Sequence, residues 1–278
     1  MERFSYRNLY RLLTPLYGDR EAKSVARFAL EAKYGITMED IVMGKDLLTA
    51  EDADELTTRL LSGEPVQYVV GRAEFGGRWF SVDPSVLIPR PETAQMVELI
   101  VEEARERRKP CHILDIGTGS GCIAVTLALE VEQSEVEAID ISADAIKVAR
   151  KNAENLKTEV GFRCIDILCA QPKSNTFDII VSNPPYICEN ERKEMEPNVV
   201  DHEPSIALFV NDNDPLLFYR AISKYAAVAL KTEGTLWFET NRKYAEEVKK
   251  CAEDEGFTDV ETIPDMFGNQ RFVKARKR

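Results

Sequence analysis

Cys111-His112-Ile113-Leu114-Asp115-Ile116-Gly117-Thr118-Gly119-Ser120-Gly121 decides the fold. A mostly apolar run ends in Asp115-Ile116 and passes directly into glycines at alternate positions. Cys122 to Glu130 follows with no Pro or Gly and reads as a helix. Strand, Gly-rich turn and helix in that order form the opening unit of an α/β sheet. The same alternation continues downstream. Val136–Asp140 reads as a second strand, and Ser142 caps a helix whose apolar face carries Ile146, Ala149, Ala153 and Leu156. Val160–Asp166 reads as a third strand, Phe177–Ser182 as a fourth and Gly234–Thr240 as a fifth. Thr258–Thr262 and Arg271–Ala275 supply two more short strands. The expected fold class is α/β, a doubly wound, Rossmann-like sheet with helices on both faces.

Upstream the periodicity differs. Tyr6, Leu9, Tyr10, Leu13 and Leu16 follow helical spacing, and Pro15-Leu16-Tyr17-Gly18 ends that stretch. Glu21–Tyr34 gives a second helix stopped by Gly35. Thr49-Ala50-Glu51-Asp52 starts a third, which ends at Ser62-Gly63-Glu64-Pro65. Gln67–Val70 and Arg78–Val82 are rich in aromatic and β-branched residues around Phe75-Gly76-Gly77, so a β-hairpin is expected there. Leu87-Ile88-Pro89-Arg90-Pro91-Glu92-Thr93 is a stiff entry into a helix that runs to about Arg107. The expected organisation is a small helical domain over 1–70, a hairpin linker over 71–90 and the α/β domain over 91–278. Cys188–Asn213 reads as a long polar loop, and Asp214-Pro215 as the start of a helix reaching about Lys231.

Composition narrows the function. The chain has 278 residues, of which 30% are charged and 44% hydrophobic, and a formal net charge of −12. That balance lowers the expectation of a nucleic-acid substrate, whose phosphates call for a basic face. No apolar run reaches the roughly 18 residues of a membrane helix, and Met1–Asn8 lacks the apolar segment of a secretory leader. A cytoplasmic protein without membrane partners is expected. The six cysteines show no CxxC spacing and the two histidines no ligand pattern, so no metal is expected.

The Gly-rich turn carries the cofactor expectation. Its spacing is GxGxG, and Cys122 stands where a dinucleotide fingerprint would place a third glycine. No Walker lysine follows. Gly117, Thr118, Gly119, Ser120 and Gly121 would bring backbone against a ligand. Asp140, at the end of the second strand, would hold ribose hydroxyls, and Asp166, ending the third, would accept from an adenine amine. A nucleoside with an amino-acid tail fits this pattern better than a pyrophosphate, which points to S-adenosylmethionine.

The fourth strand delivers Asn183-Pro184-Pro185-Tyr186. Proline has no N–H and a fixed φ, so the strand stops and nearby carbonyls keep free lone pairs. The Asn183 side-chain oxygen and the Pro184 carbonyl can each accept one hydrogen of a planar NH₂ group, with Tyr186 packed on its face. Such a clamp aims the nitrogen lone pair at a methyl donor and stabilises positive charge as it develops on nitrogen. Asn183, Pro184 and Tyr186 are the expected catalytic residues. Asn183 to Tyr186, including Pro185, form the acceptor site, and Asn183 also borders the cofactor.

Gly63-Glu64-Pro65-Val66-Gln67-Tyr68, Gly71-Arg72-Ala73-Glu74-Phe75, the Leu87–Thr93 segment, Asp115–Gly121, Ser182–Ile187 and Glu203-Pro204 together resemble the release factor glutamine methyltransferases. The resemblance covers nearly the whole chain. It implies a class I methyltransferase fold and transfer of a methyl group to the glutamine amide of the Gly-Gly-Gln loop in class 1 peptide chain release factors. It also implies that the helical N-terminal domain contacts the release factor outside that loop. A nucleic-acid exocyclic-amine methyltransferase would use the same clamp and is the alternative. Family members often place an aromatic near the adenine after the third strand; here Ile167 and Leu168 stand instead.

Overall fold

The computed structural model describes residues 4–278; residues 1–3, the start of the stretch read as lacking a secretory leader and of the expected helical domain over 1–70, lie outside them. The chain opens with α1 (Tyr6–Tyr34), α2 (Met38–Val42), α3 (Ala50–Leu61) and α4 (Val66–Val70), then the hairpin β1 (Arg72–Phe75) and β2 (Arg78–Ser81). Helix α5 (Pro91–Arg107) leads into β3 (His112–Ile116), α6 (Cys122–Glu130), β4 (Glu135–Asp140), α7 (Ala143–Asn155), β5 (Gly161–Cys164) and β6 (Phe177–Ser182). After β6 come β7 (Ile187–Cys188), a 3₁₀ turn at Glu189–Glu194, α8 (Pro197–His202), α9 (Ser205–Leu208) and β8 (Phe209–Val210). The chain closes with α10 (Leu217–Ala229), β9 (Leu230–Glu239), α11 (Ala245–Asp254), β10 (Thr258–Pro264) and β11 (Gln270–Arg276).

Seven strands form one sheet in the order β10-β11-β9-β6-β3-β4-β5. The pairs β3–β4, β3–β6, β4–β5 and β6–β9 are parallel, and β11 runs antiparallel to both of its neighbours. The winding reverses between β3 and β6. At that switch point the carboxyl ends of two central strands open toward a ligand. Alternation along β6 divides the core. Ile179 and Val181 face Met96, Ile100, Ile123 and Ala149 of α5, α6 and α7, whereas Ile180 faces Tyr219, Ile222 and Val248 of α10 and α11. Both faces are covered, so the central strands are mostly apolar, with Asp115, Asp178 and Ser182 as buried polar exceptions.

Leu9, Leu13, Ala26, Leu30, Leu56 and Leu60 of the N-terminal helices bury into a separate cluster. Gly18, at φ 74° and ψ 165°, breaks α1 where the first helix was expected to end, and the chain resumes as a helix at once. Thr49 accepts from the Asp52 N–H and caps α3, as its sequence position predicts. The hairpin is tied to the sheet through Asn152 of α7. Its side chain accepts from the Ser81 N–H at 2.7 Å and donates to the Ser81 and Ser120 carbonyls, both at 2.9 Å.

Three local expectations are corrected. Gln67–Val70 is the helix α4, and the hairpin's first strand is Arg72–Phe75. Gly71 takes the left-handed conformation that ends α4, while the Arg59 guanidinium donates to the Tyr68 and Val69 carbonyls. These partners override the β propensity of Val66, Tyr68, Val69 and Val70. Cys188–Asn213 is no plain loop but carries the short elements from β7 to β8. The helix after Asp214-Pro215 begins only at Leu217; the Asp214 carboxylate binds Arg220 at 2.6 Å and does not cap it.

Among the described residues no helix is long and apolar enough to cross a membrane, and no group of three or more His, Cys, Asp or Glu side chains could hold a metal ion.

Candidate active site

A cleft runs along the carboxyl ends of β3, β4, β5 and β6. Gly117, Thr118, Gly119 and Ser120 line it, with Asp140, Asp166, Asn183, Pro184 and Pro185. The structure thus brings most of the sequence-predicted residues together. Two take other places. Gly121 lies behind the wall as the N-cap of α6, where a Cβ would meet Ala149 Cβ at 3.0 Å. Tyr186 packs under the clamp against the apolar cluster that holds Ile180.

The cofactor end is built from backbone. Gly117 and Gly119 have φ of 76° and 54°, and nothing lies within 4 Å of a Cβ placed on either. The left-handed turn needs glycine, and the empty space is where a ligand can meet the main chain. The turn is held by its neighbour strand: the Gly117 and Thr118 N–H groups donate to the Ile139 carbonyl. Asp140 Oδ2 accepts from the Gly119 N–H at 2.9 Å and Oδ1 from the Ser142 N–H at 2.8 Å. Each oxygen retains a lone pair for a ligand hydroxyl. Burial pushes the Asp140 carboxyl up, against the pull of those backbone donors.

Below the turn Asp115 is fully buried. It accepts from the Thr118 hydroxyl at 2.6 Å, and burial raises its carboxyl to about 7. Ser120, 2% exposed and in the cleft wall, has a hydroxyl with no partner. Ile139, Ile141, Ile165, Ile167 and Leu168 form an aliphatic slot beside Asp166, whose Oδ1 accepts from the Leu168 N–H at 2.9 Å. A carboxylate for a diol, an apolar slot for a flat base and an open glycine backbone match a nucleoside bearing an amino-acid tail. These residues fit S-adenosylmethionine.

The acceptor end is built from side chains. Ser182 ties β6 to β3 by donating to the Ile116 carbonyl at 2.7 Å, which sets the level at which Asn183 leaves the sheet. Asn183 Nδ2 donates to Thr93 Oγ1 at 3.2 Å. Among the described residues no donor reaches Asn183 Oδ1 or the Pro184 carbonyl. The Thr93 hydroxyl donates in turn to Glu239 Oε2 at 2.6 Å, and the Tyr186 hydroxyl to Glu239 Oε1 at 3.3 Å. Glu239 is 1% exposed, and its backbone carbonyl accepts from Tyr219. Burial raises the Glu239 carboxyl, while the Thr93 bond, the Arg271 charge and the Tyr186 bond oppose that rise. Burial raises Tyr186 as well, so its hydroxyl keeps its proton.

A polar strap closes the near side. Arg90 lines the cleft and pairs with Glu203 Oε1 at 2.6 Å, and Glu203 Oε2 accepts from the Ile88 N–H at 3.1 Å. This joins the stiff segment before α5 to the segment carrying α8 and α9, whose Ile206 and Ala207 reach the same cleft. Thr93 and Glu239 were not singled out by sequence reasoning. Thr93 stood in a quoted segment, but Glu239 ends an ordinary apolar strand and gave no signal.

The methyltransferase small domain family matches residues 93–202. The release factor glutamine methyltransferase of Bacteroides thetaiotaomicron is 44% identical over 270 residues, covering 95% of this chain and 96% of that protein. That of Flavobacterium psychrophilum is 38% identical over 272 residues, covering 96% of this chain and 95% of that protein. A solved methyltransferase from Pyrococcus furiosus shares the fold with a TM-score of 0.53 at 20% identity, over 79% of this chain and 96% of that one. With that identity sustained over nearly its whole length, the chain belongs to the release factor glutamine methyltransferase family.

Proposed function

We propose that the protein transfers the methyl group of S-adenosylmethionine to the side-chain amide nitrogen of the Gly-Gly-Gln glutamine in class 1 peptide chain release factors. The observation that carries this reading is the orientation of Asn183. Its Nδ2 is spent on Thr93, so its Oδ1 is left to the cleft. The names of the relatives supply the substrate.

Bound S-adenosylmethionine supplies an electrophilic methyl group on a sulfonium sulfur. Gly117, Thr118, Gly119 and Ser120 hold the amino-acid tail, Asp140 the ribose hydroxyls, and Asp166 the adenine amine over Ile167 and Leu168. Gly121 supports the turn from behind. At the other end, Asn183 Oδ1 and the Pro184 carbonyl each accept one amide hydrogen of the glutamine. An amide nitrogen is a poor nucleophile because its lone pair is delocalised. Two fixed acceptors turn that lone pair toward the methyl group and stabilise charge as it appears on nitrogen. Pro185 stiffens the clamp, and Tyr186 supports it from beneath. The helical segment over 1–70 serves as a recognition domain for the release factor, 71–90 as the linker and 91–278 as the transferase domain.

The same clamp would accept a base amine, and the net charge of −12 opposes that alternative. Incubation with methyl-labelled S-adenosylmethionine and either a release factor or duplex DNA tests the choice. Label is expected on the release factor and is lost when its glutamine is replaced. Label on DNA alone would overturn the proposal.

A further inference from the structure

We infer that Glu239 and Thr93 are positioning residues that lock the flip of the Asn183 amide, so that an oxygen and not an NH₂ faces the acceptor nitrogen. The inference rests on the clamp reading above and explains how the clamp keeps its polarity. An asparagine amide is nearly symmetric in shape, and rotating it by half a turn exchanges acceptor for donor. The exchanged form would present N–H to an NH₂ substrate and repel it. Nothing in Asn183-Pro184-Pro185-Tyr186 itself prevents this.

The order of donors in the buried chain does. Glu239, at the end of β9, accepts two hydroxyl protons, one from Thr93 on α5 and one from Tyr186 after β6. Thr93 is 2% exposed and has a single hydroxyl proton, which goes to Glu239 at 2.6 Å. Its oxygen can then only accept, and the group it accepts from is Asn183 Nδ2 at 3.2 Å. With Nδ2 fixed, Oδ1 has one remaining direction, the cleft. Burial, with the Glu92 charge on α5, raises the Glu239 carboxyl; the two hydroxyl donors and the Arg271 charge from β11 work the other way and favour the form that accepts both protons. Arg271 is itself anchored, donating to the Thr240 carbonyl and to Asp265. The device joins three elements separated in sequence and leaves the cofactor residues alone.

The variants Thr93→Val and Thr93→Ser test it in the full chain, with methyl transfer to the release factor and cofactor binding measured side by side. Valine keeps the shape of threonine and removes the hydroxyl. The expected result is a fall in kcat of about 10²-fold, the scale of a misoriented reacting group, with the S-adenosylmethionine dissociation constant within about threefold. Thr93→Ser should restore most of the rate. Glu239→Gln offers Thr93 a donor, frees its proton toward Asn183 and should lose a similar factor. Because the groups act in series, Thr93→Val combined with Glu239→Gln should be no slower than the worse single variant. A Thr93→Val enzyme within twofold of the parent rate, or losses that multiply in the double variant, would overturn the inference. A parent protein that methylates no release factor would instead overturn the proposed function.

Discussion

The two ends of the cleft are constructed differently. At the cofactor end the ligand-facing groups are backbone and two carboxylates, Asp140 and Asp166, and their contacts are close in sequence: Asp140 reaches Gly119 across 21 positions. At the acceptor end the groups are side chains gathered from far apart. Asn183 meets Thr93 across 90 positions, and Thr93 meets Glu239 across 146. A backbone cradle is specified by glycine spacing within one strand–turn–helix unit. A side-chain clamp needs the whole sheet in register before it has any polarity.

The contrast predicts that damage at each end stays there. The largest effect is expected at the clamp. Asn183→Ala should lower kcat on the order of 10³-fold, the upper range for losing a preorganised polar group, while calorimetry finds cofactor affinity nearly unchanged. Comparable losses in both would break the division, because Asn183 would then be holding mainly the cofactor. Next comes Gly121→Val, which forces a β-branched residue into φ 81° and pushes a side chain against Ala149. Urea unfolding should show a loss of about 3 kcal/mol from the strained φ and the overpacking together. No loss would mean that the turn is free to shift and that the cradle is not rigid.

Asp140→Ala should weaken cofactor binding by about 10- to 100-fold, as expected on losing a charged acceptor, and leave kcat at saturating cofactor close to that of the parent. An unchanged dissociation constant would remove Asp140 from the cradle. The smallest effect concerns Glu103 of α5. Burial works to raise its carboxyl, but hydrogen bonds from Arg107 and Thr235 and the nearby Lys274 outweigh that and hold it below its ordinary value. A carboxyl depressed in the folded state adds stability that is complete above its unfolded pKa and is lost as pH falls through the lower, folded value. Glu103 couples α5, which carries Thr93, to β9, which carries Glu239. Melting curves taken through the acid range should therefore fall less steeply for Glu103→Gln than for the parent. Curves that fall equally steeply would separate this pair from the alignment of the acceptor end.

The errors of sequence reading follow the same division. The Gly-rich turn and the strands β3, β4 and β6 were legible because their residues act on near neighbours. Gln67–Val70 was misread as strand because the Arg59 guanidinium, which holds the end of α4, is supplied from the preceding helix α3. Cys188–Asn213 reads as a polar loop because its short elements depend on distant partners: β7 pairs with β8, and the buried Glu203 binds Arg90 and the Ile88 N–H. The bond from the Tyr186 hydroxyl to Glu239 likewise has no sign in the tetrapeptide, because its acceptor comes from β9.

The sequence by itself determined that a strand would end in alternating glycines, that another would stop at two prolines, and that both would belong to one α/β sheet. These are consequences of φ restriction, missing N–H groups and apolar periodicity, and each acts within a few residues. The doubly wound order that the sequence implies also set the two strand ends side by side, as the β3–β6 pairing has them; only the tertiary structure decided that Glu239 and Thr93 stand behind Asn183. A hydrogen-bond chain has a direction, and that direction exists only once its donors and acceptors have been brought into contact from three separate elements.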